Sequence, residues 1–346
     1  MSRSVAAILA AAFLGCSAVP PAPRPLPRAV LEAHAGEVHA LAFTPDGTMF
    51  ASAGGGTANP AIDEITLWAT ASGERRMTFA NVKDVVSCLT FSPDGKTLAV
   101  GSAGGRLALL ETESGAERIF FAGRAGRVSG LCFSFDGKVL VSAVNAEEDA
   151  ELVEVCRWDV ILGVLLDTFT AGAQPPVALS SEGASLAWPA AGEPPGIHIV
   201  NLETKATRTL PKIGVVRGDS MIFSPDGKWL AAVHQEEWSP FPNKCPYLYL
   251  IEAQTGRIRL RSPRPFDTRR GLALSHDAKL LARGVDQGLQ IWDLKTLEVL
   301  ATVSDAPSRA GGAEMLVFSP DDRTLVSTDG LGHLLLWDVP RLLESR

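Results

Sequence analysis

The chain has 346 residues, 46% of them hydrophobic and 21% charged, with a formal net charge of −7. That composition belongs to a globular protein and excludes collagen, a coiled coil and a disordered tail. The acidic balance also argues against a nucleic-acid partner, which needs a basic footprint.

In chain order, residues 1–15 read as an export signal. Arg3 supplies a positive start, and Val5 to Leu14 is an uncharged run of ten residues, too short to span a bilayer of ~30 Å. The run ends in Phe13-Leu14-Gly15-Cys16, and two processing routes fit. In one, the segment resembles a bacterial lipobox, with small Gly15 before the Cys and Phe13 where Leu is usual, so that Cys16 becomes the lipidated first residue. In the other, ordinary cleavage falls near Cys16-Ser17-Ala18. Val19 to Pro27 then holds five prolines in nine residues, a semi-rigid polyproline spacer. The expected organisation is a signal over 1–15, a lipid-anchor Cys and spacer over 16–27, a folded body over 28–340 and a tail over 341–346. On the first route the protein faces the periplasm from a membrane it touches only through its lipid; on the second it is periplasmic or secreted.

The body is a repeat. Phe-Ser-Pro-Asp-Gly stands at 91–95 and 223–227, with near copies at 43–47, 133–137 and 318–322 and worn copies at 179–183 and 274–278. The acidic position falls at 46, 94, 136, 182, 226, 277 and 321. A second landmark follows each copy, clearest as Trp158-Asp159, Ile291-Trp292-Asp293 and Leu336-Trp337-Asp338. Within the second unit, apolar alternation and turn residues predict strands over 86–91, 97–102, 106–111 and 116–121. A single four-stranded meander cannot bury both faces, so copies must stack.

These residues resemble the WD-repeat family of β-propellers over about residues 29–339. The resemblance implies an all-β, seven-bladed propeller of four-stranded antiparallel blades. The last unit is one strand short, and Ala29–Ala33 is a spare strand, so the N-terminal strand is expected to close the seventh blade. The family's Gly-His dipeptide is nearly gone. Only the first blade, with His34, Ser52 and Trp68, retains most of the family's buried hydrogen-bond network, and the Trp residues are otherwise read as core.

No nucleophile elbow, phosphate loop or dinucleotide turn occurs, and neither a metal nor a cofactor is expected. Sequence length varies on the face that carries the connections between second and third strands: Gly54 to Glu64, Asn145 to Glu151, Pro189 to Gly196 and His234 to Pro246. Trp238, Phe241 and Tyr247, on the longest of these, are candidate partner anchors; covering the neighbouring blade is the structural alternative. Arg127, Arg217, Arg269 and Arg270 fall near the starts of first strands, where they would gather at one channel mouth and receive an anion, or else pair with Asp219 and Glu314. Two functions compete. One is a monomeric, non-catalytic platform for a protein or peptide partner at the cell envelope, as the family resemblance implies. The other is a propeller enzyme, of lactonase or metal-dependent hydrolase type, with residues converging on the channel.

Overall fold

Each copy of the repeated turn, exact or worn, joins the first two strands of a sheet, and there are seven separate sheets among the described residues. The computed structural model describes residues 26–55, 63–82, 84–121, 125–146, 152–172, 177–180, 185–190, 196–211, 221–235, 246–262, 271–285, 288–304 and 315–344. Blade 1 consists of Val38–Phe43, Met49–Gly55, Asp63–Ala69 and Arg75–Val82; blade 2 of Val86–Phe91, Thr97–Ser102, Leu107–Glu111 and Glu117–Phe121. Blade 3 follows as Gly126–Phe133, Val139–Ala146, Leu152–Asp159 and Leu165–Gly172. Blade 4 is Ala178–Leu179, Ser185–Ala190, Gly196–Asn201 and Thr207–Pro211, and blade 5 is Met221–Phe223, Trp229–Gln235, Pro246–Glu252 and Ile258–Arg261. Blade 6 is Leu272–Leu274, Leu280–Val285, Gly288–Asp293 and Val299–Ser304.

Blade 7 draws on both ends of the chain. Its first three strands are Leu316–Phe318, Thr324–Thr328 and His333–Asp338, and its outer strand is Ala29–Glu32. The register runs antiparallel from Ala29 opposite Leu336 to Glu32 opposite His333. The expected closure is therefore the one observed, and it leaves no blade with a missing strand. Residues 341–344 of the expected tail lie in a short helix, Val339–Glu344, that buries Val339 and Leu342. Pro340 suits its first turn, where a backbone N–H would lack a partner.

Alternation along each strand sends neighbouring side chains to opposite faces of the sheet. Phe50 and Trp68 of blade 1 thus pack with Val326, Leu334 and Leu336 of blade 7, while Ala51, Ala53 and Leu67 pack with Val86, Leu89 and Leu98 of blade 2. The same holds around the ring. Among the described residues there are seven buried clusters, each shared by two neighbouring blades. The core is a ring of interfaces, which is why a blade has no stability alone.

Candidate functional site

The first face of the ring carries the first-to-second and third-to-fourth turns. Its first-to-second turns are five residues long in every blade: 44–48, 92–96, 134–138, 180–184, 224–228, 275–279 and 319–323. The third-to-fourth turns of blades 1 to 6 are also five residues each, at 70–74, 112–116, 160–164, 202–206, 253–257 and 294–298.

Side chains dictate this uniformity. In the second blade, the Ser92 hydroxyl donates to the Asp94 carboxylate at 2.6 Å, and Oδ1 of Asp94 accepts the Lys96 N–H at 3.1 Å. Ser92 Oγ in turn accepts the Thr97 N–H at 3.0 Å, which starts the return strand. Equivalent pairs recur at Thr44–Asp46, Ser134–Asp136, Ser224–Asp226, Ser275–Asp277 and Ser319–Asp321. The motif glycine serves packing as well as φ: a Cβ at Gly47 would meet Pro320 Cδ of the preceding blade at 3.3 Å, and one at Gly95 would meet Pro45 at 3.6 Å. Pro93 lies against Gly137 of the third blade in the same way, at 3.5 Å.

The Asp of the second landmark has a separate task. Asp159 Oδ1 accepts the N–H groups of Ile161 and Leu162 at 2.9 and 2.7 Å. Asn201 and Asp293 cap the same turn in blades 4 and 6. The Trp beside it is core. The indole N–H donates to Ser52 from Trp68, to Ser142 from Trp158 and to Ser327 from Trp337, each at 2.9 Å. Blade 1 extends this pair to His34, whose Nε2 lies 2.7 Å from Ser52 Oγ. Burial, then the nearby Arg75 and His39 charges, lower the His34 pKa to about 4, so the ring is neutral.

The opposite face carries all the variation. Its second-to-third connections run from two residues in blade 6 (286–287) to seven in blade 1 (56–62) and ten in blade 5 (236–245). Its links between blades lengthen from three residues (83–85) to nine, ten and eleven (212–220, 262–271 and 305–315). Sequence reasoning missed these last three because the inner strands they lead into shrink to three residues, as in Met221–Phe223. The base of this face is firm. Asp63, fully buried and raised in pKa chiefly by that burial, accepts the Val86 N–H across the blade boundary at 2.7 Å. Asp84 accepts from Ser102 Oγ at 2.6 Å and Gly104 N at 2.8 Å.

The expected site residues divide accordingly. Cys16, Trp238, Phe241, Arg217, Arg269 and Arg270 lie outside the described residues, as do Asp219 and Glu314. Arg127 is exposed at the start of the blade 3 inner strand, opposite Asn145. That is the variable-face end of the channel, and Arg127 is the member of the four whose position is described. Tyr247 corrects an expectation. It belongs to the strand Pro246–Glu252, is only 5% exposed, and packs in the cluster between blades 4 and 5 beneath the Arg261 guanidinium, 4.0 Å from its ring centroid. Alternation in an apolar strand places it inward, so it is a core residue and not a rim anchor. At the other end the channel is largely apolar, a cavity of about 300 Å³ lined by Phe43, Phe91, Phe223 and Phe318 with Pro45, Pro225 and Pro320. Among the described residues, no three His, Cys, Asp or Glu side chains are placed to hold a metal ion.

The family described as WD domain, G-beta repeat matches residues 26–59 and 73–109. The first match begins with the closing strand of blade 7, and the second with the outer strand of blade 1, so the sequence repeat straddles blades. Among solved structures, the chain is similar to Kuenenia stuttgartiensis Hydrazine Synthase, with 15% identity, a TM-score of 0.68 and coverage of 90% of this chain and 97% of that one. At that identity the likeness concerns the fold. No curated protein matches in sequence. Seven closed four-stranded blades headed by this recurring turn make the chain a seven-bladed β-propeller, and the WD-repeat family model matches it over residues 26–59 and 73–109.

Proposed function

We propose that the chain is a non-catalytic interaction platform at the cell envelope, attached through a lipid on Cys16 and binding a protein or peptide partner on its variable face. One observation carries this reading. Every first-to-second and third-to-fourth turn is five residues, whereas connections on the other face range from two to eleven. Stability fixes the first set through shared hydrogen bonds. Nothing in the blade requires ten residues between Gln235 and Pro246 where blade 6 uses two, and surplus loop on a rigid frame is where recognition is built. The fold supports interaction in general, since fold alone does not specify chemistry.

Trp238 and Phe241 are the anchors on this reading. The test begins with a partner captured by the mature protein from detergent-solubilised envelopes. A Trp238→Ala, Phe241→Ala double variant is expected to melt as the wild type does and to bind that partner more weakly by about 2 kcal/mol or more. Early melting places the two rings in the fold, and unchanged binding removes them from the interface.

A further inference from the structure

The repeats act as internal controls for one another, and blade 3 departs from the rest on the uniform face. The third-to-fourth turns elsewhere read Thr-Ala-Ser-Gly-Glu (70–74), Thr-Glu-Ser-Gly-Ala (112–116), Leu-Glu-Thr-Lys-Ala (202–206), Ala-Gln-Thr-Gly-Arg (253–257) and Leu-Lys-Thr-Leu-Glu (294–298). Blade 3 has Val-Ile-Leu-Gly-Val (160–164), without one polar side chain. Its hydrogen bonds are nonetheless the common ones: Gly163 N donates to Asp159 O at 2.9 Å, as Gly115 N does to Glu111 O at 2.8 Å. The turn therefore does not need its apolar residues.

The first-to-second turn of the same blade departs too. Phe135 takes the place that proline fills in four of the other copies, and it is 84% exposed. Ile161 and Leu162 are 76% and 71% exposed, and Leu165 and Leu166 continue the apolar surface onto the outer strand. Phe135 and Ile161 line one groove of about 480 Å³ between blades 2 and 3, so the two tips form a single patch. An exposed apolar patch of this kind marks a surface where something else docks.

We propose that this corner of blade 3 dips into the lipid bilayer surface. The described chain begins on the same face: Arg28 donates through its guanidinium to Thr70 O at 2.6 Å, within the blade 1 turn 70–74. The segment from Cys16 to Leu26 reaches at most ~35 Å, and in an anchored chain that tether leaves from this face and not from the variable one. The inference rests on the envelope reading above for the bilayer being within reach. The patch itself favours lipid over a folded partner. Its most exposed side chains, Phe135, Ile161 and Leu162, are apolar and stand on two hairpin tips, while the polar groups beside them are engaged within their own turns, as Ser134 is with Asp136, which suits the non-directional apolar boundary of a bilayer. The nearest cations are already matched, Lys138 with Asp136 at 3.6 Å and Arg118 with Glu111 at 3.8 Å. Neutral lipid therefore suffices.

A chain beginning at Leu26 keeps every strand of the closed ring and lacks Cys16, which separates this claim from lipidation. It is expected to float with phosphatidylcholine vesicles, and equally with vesicles containing phosphatidylglycerol. A Phe135→Ser, Ile161→Ser, Leu162→Ser variant should lose at least ~10-fold in vesicle partitioning while melting at the same temperature, because all three residues stand in solvent. Failure of the unsubstituted chain to float overturns the proposal, whatever is found at Cys16. So does flotation that the three substitutions leave unchanged. Loss of a co-purifying envelope protein from the variant, without any flotation of the parent, would assign the patch to a protein partner instead. Absence of fatty-acid label on Cys16 in the full chain, with flotation intact, would sink the anchor and spare the patch.

Discussion

Single residues in this propeller do repeated, nameable work. The Asp of each Ser-x-Asp turn accepts a hydroxyl and a backbone N–H, and those bonds hold the carboxyl pKa of Asp46, Asp94 and Asp321 below the usual value. Asp136, Asp226 and Asp277 are lowered through the same partners. A depressed carboxyl stabilises the fold above the ordinary carboxylate range and loses that contribution as pH falls through the lowered value. His34 acts in a different window. Its folded pKa of about 4 lies under the ordinary 6.5, so between those values the unfolded chain takes up a proton that the folded one refuses. Stability should decline from pH 6.5 toward 4, by up to about 3 kcal/mol in full from His34, and His34→Gln should remove that share, leaving the smaller one of His198, whose pKa burial also lowers, and the steeper acid loss near the carboxylate range. Denaturant melts across pH check this; an unchanged slope between pH 6.5 and 4 in the variant would assign the decline to another group.

At the scale of elements, the turns show how burial overrides backbone preference. Four positions that glycine fills in other copies hold larger residues with positive φ, Lys205, Ala278, Leu297 and Asp322, and two of them make a contrast: Ala278 at 52° and Leu297 at 55°. Relieving the left-handed strain favours glycine at both by about 1 kcal/mol. Ala278 is half-buried and has only a methyl group to lose, so Ala278→Gly should stabilise by up to that amount. Leu297 is 4% exposed and packs between blades 5 and 6. Leu297→Gly should therefore destabilise by about 2 kcal/mol or more, the lost burial and cavity exceeding the relief. Thermal melts of the two variants should move in opposite directions. Most elements were legible in the sequence because turn chemistry is local. The strands of blade 2 fall within one residue of their expected bounds, since Ser-Pro-Asp-Gly and Thr-Glu-Ser-Gly mark both ends. The inner strands of blades 4 to 7 were harder, being two or three residues long and held by the ring more than by their own pattern. Tyr247 was misplaced for a related reason: the strand begins at Pro246, directly after a long insertion that holds Pro and Asn, so its first residues read as part of the loop.

For the whole molecule, closure and the division of labour between faces follow from the repeat. A repeat whose family match opens on an outer strand must leave one such strand at the start of the chain, and Ala29–Glu32 returns it to blade 7. That much was readable from counting landmarks. The apolar corner of blade 3 was not picked out, although Phe135 in a proline position and the run Val-Ile-Leu-Gly-Val (160–164) both signal it; recognising them requires knowing that the turns are solvent-facing. The account assigns stability to the uniform turns and partner recognition to the variable connections. Peptide-resolved hydrogen exchange of the protein, alone and bound to its captured partner, tests that assignment most directly. Protection on binding should concentrate in residues 56–62, 147–151, 191–195 and 236–245 on the variable face. Protection confined to the five-residue turns, such as 44–48 and 92–96, would contradict it.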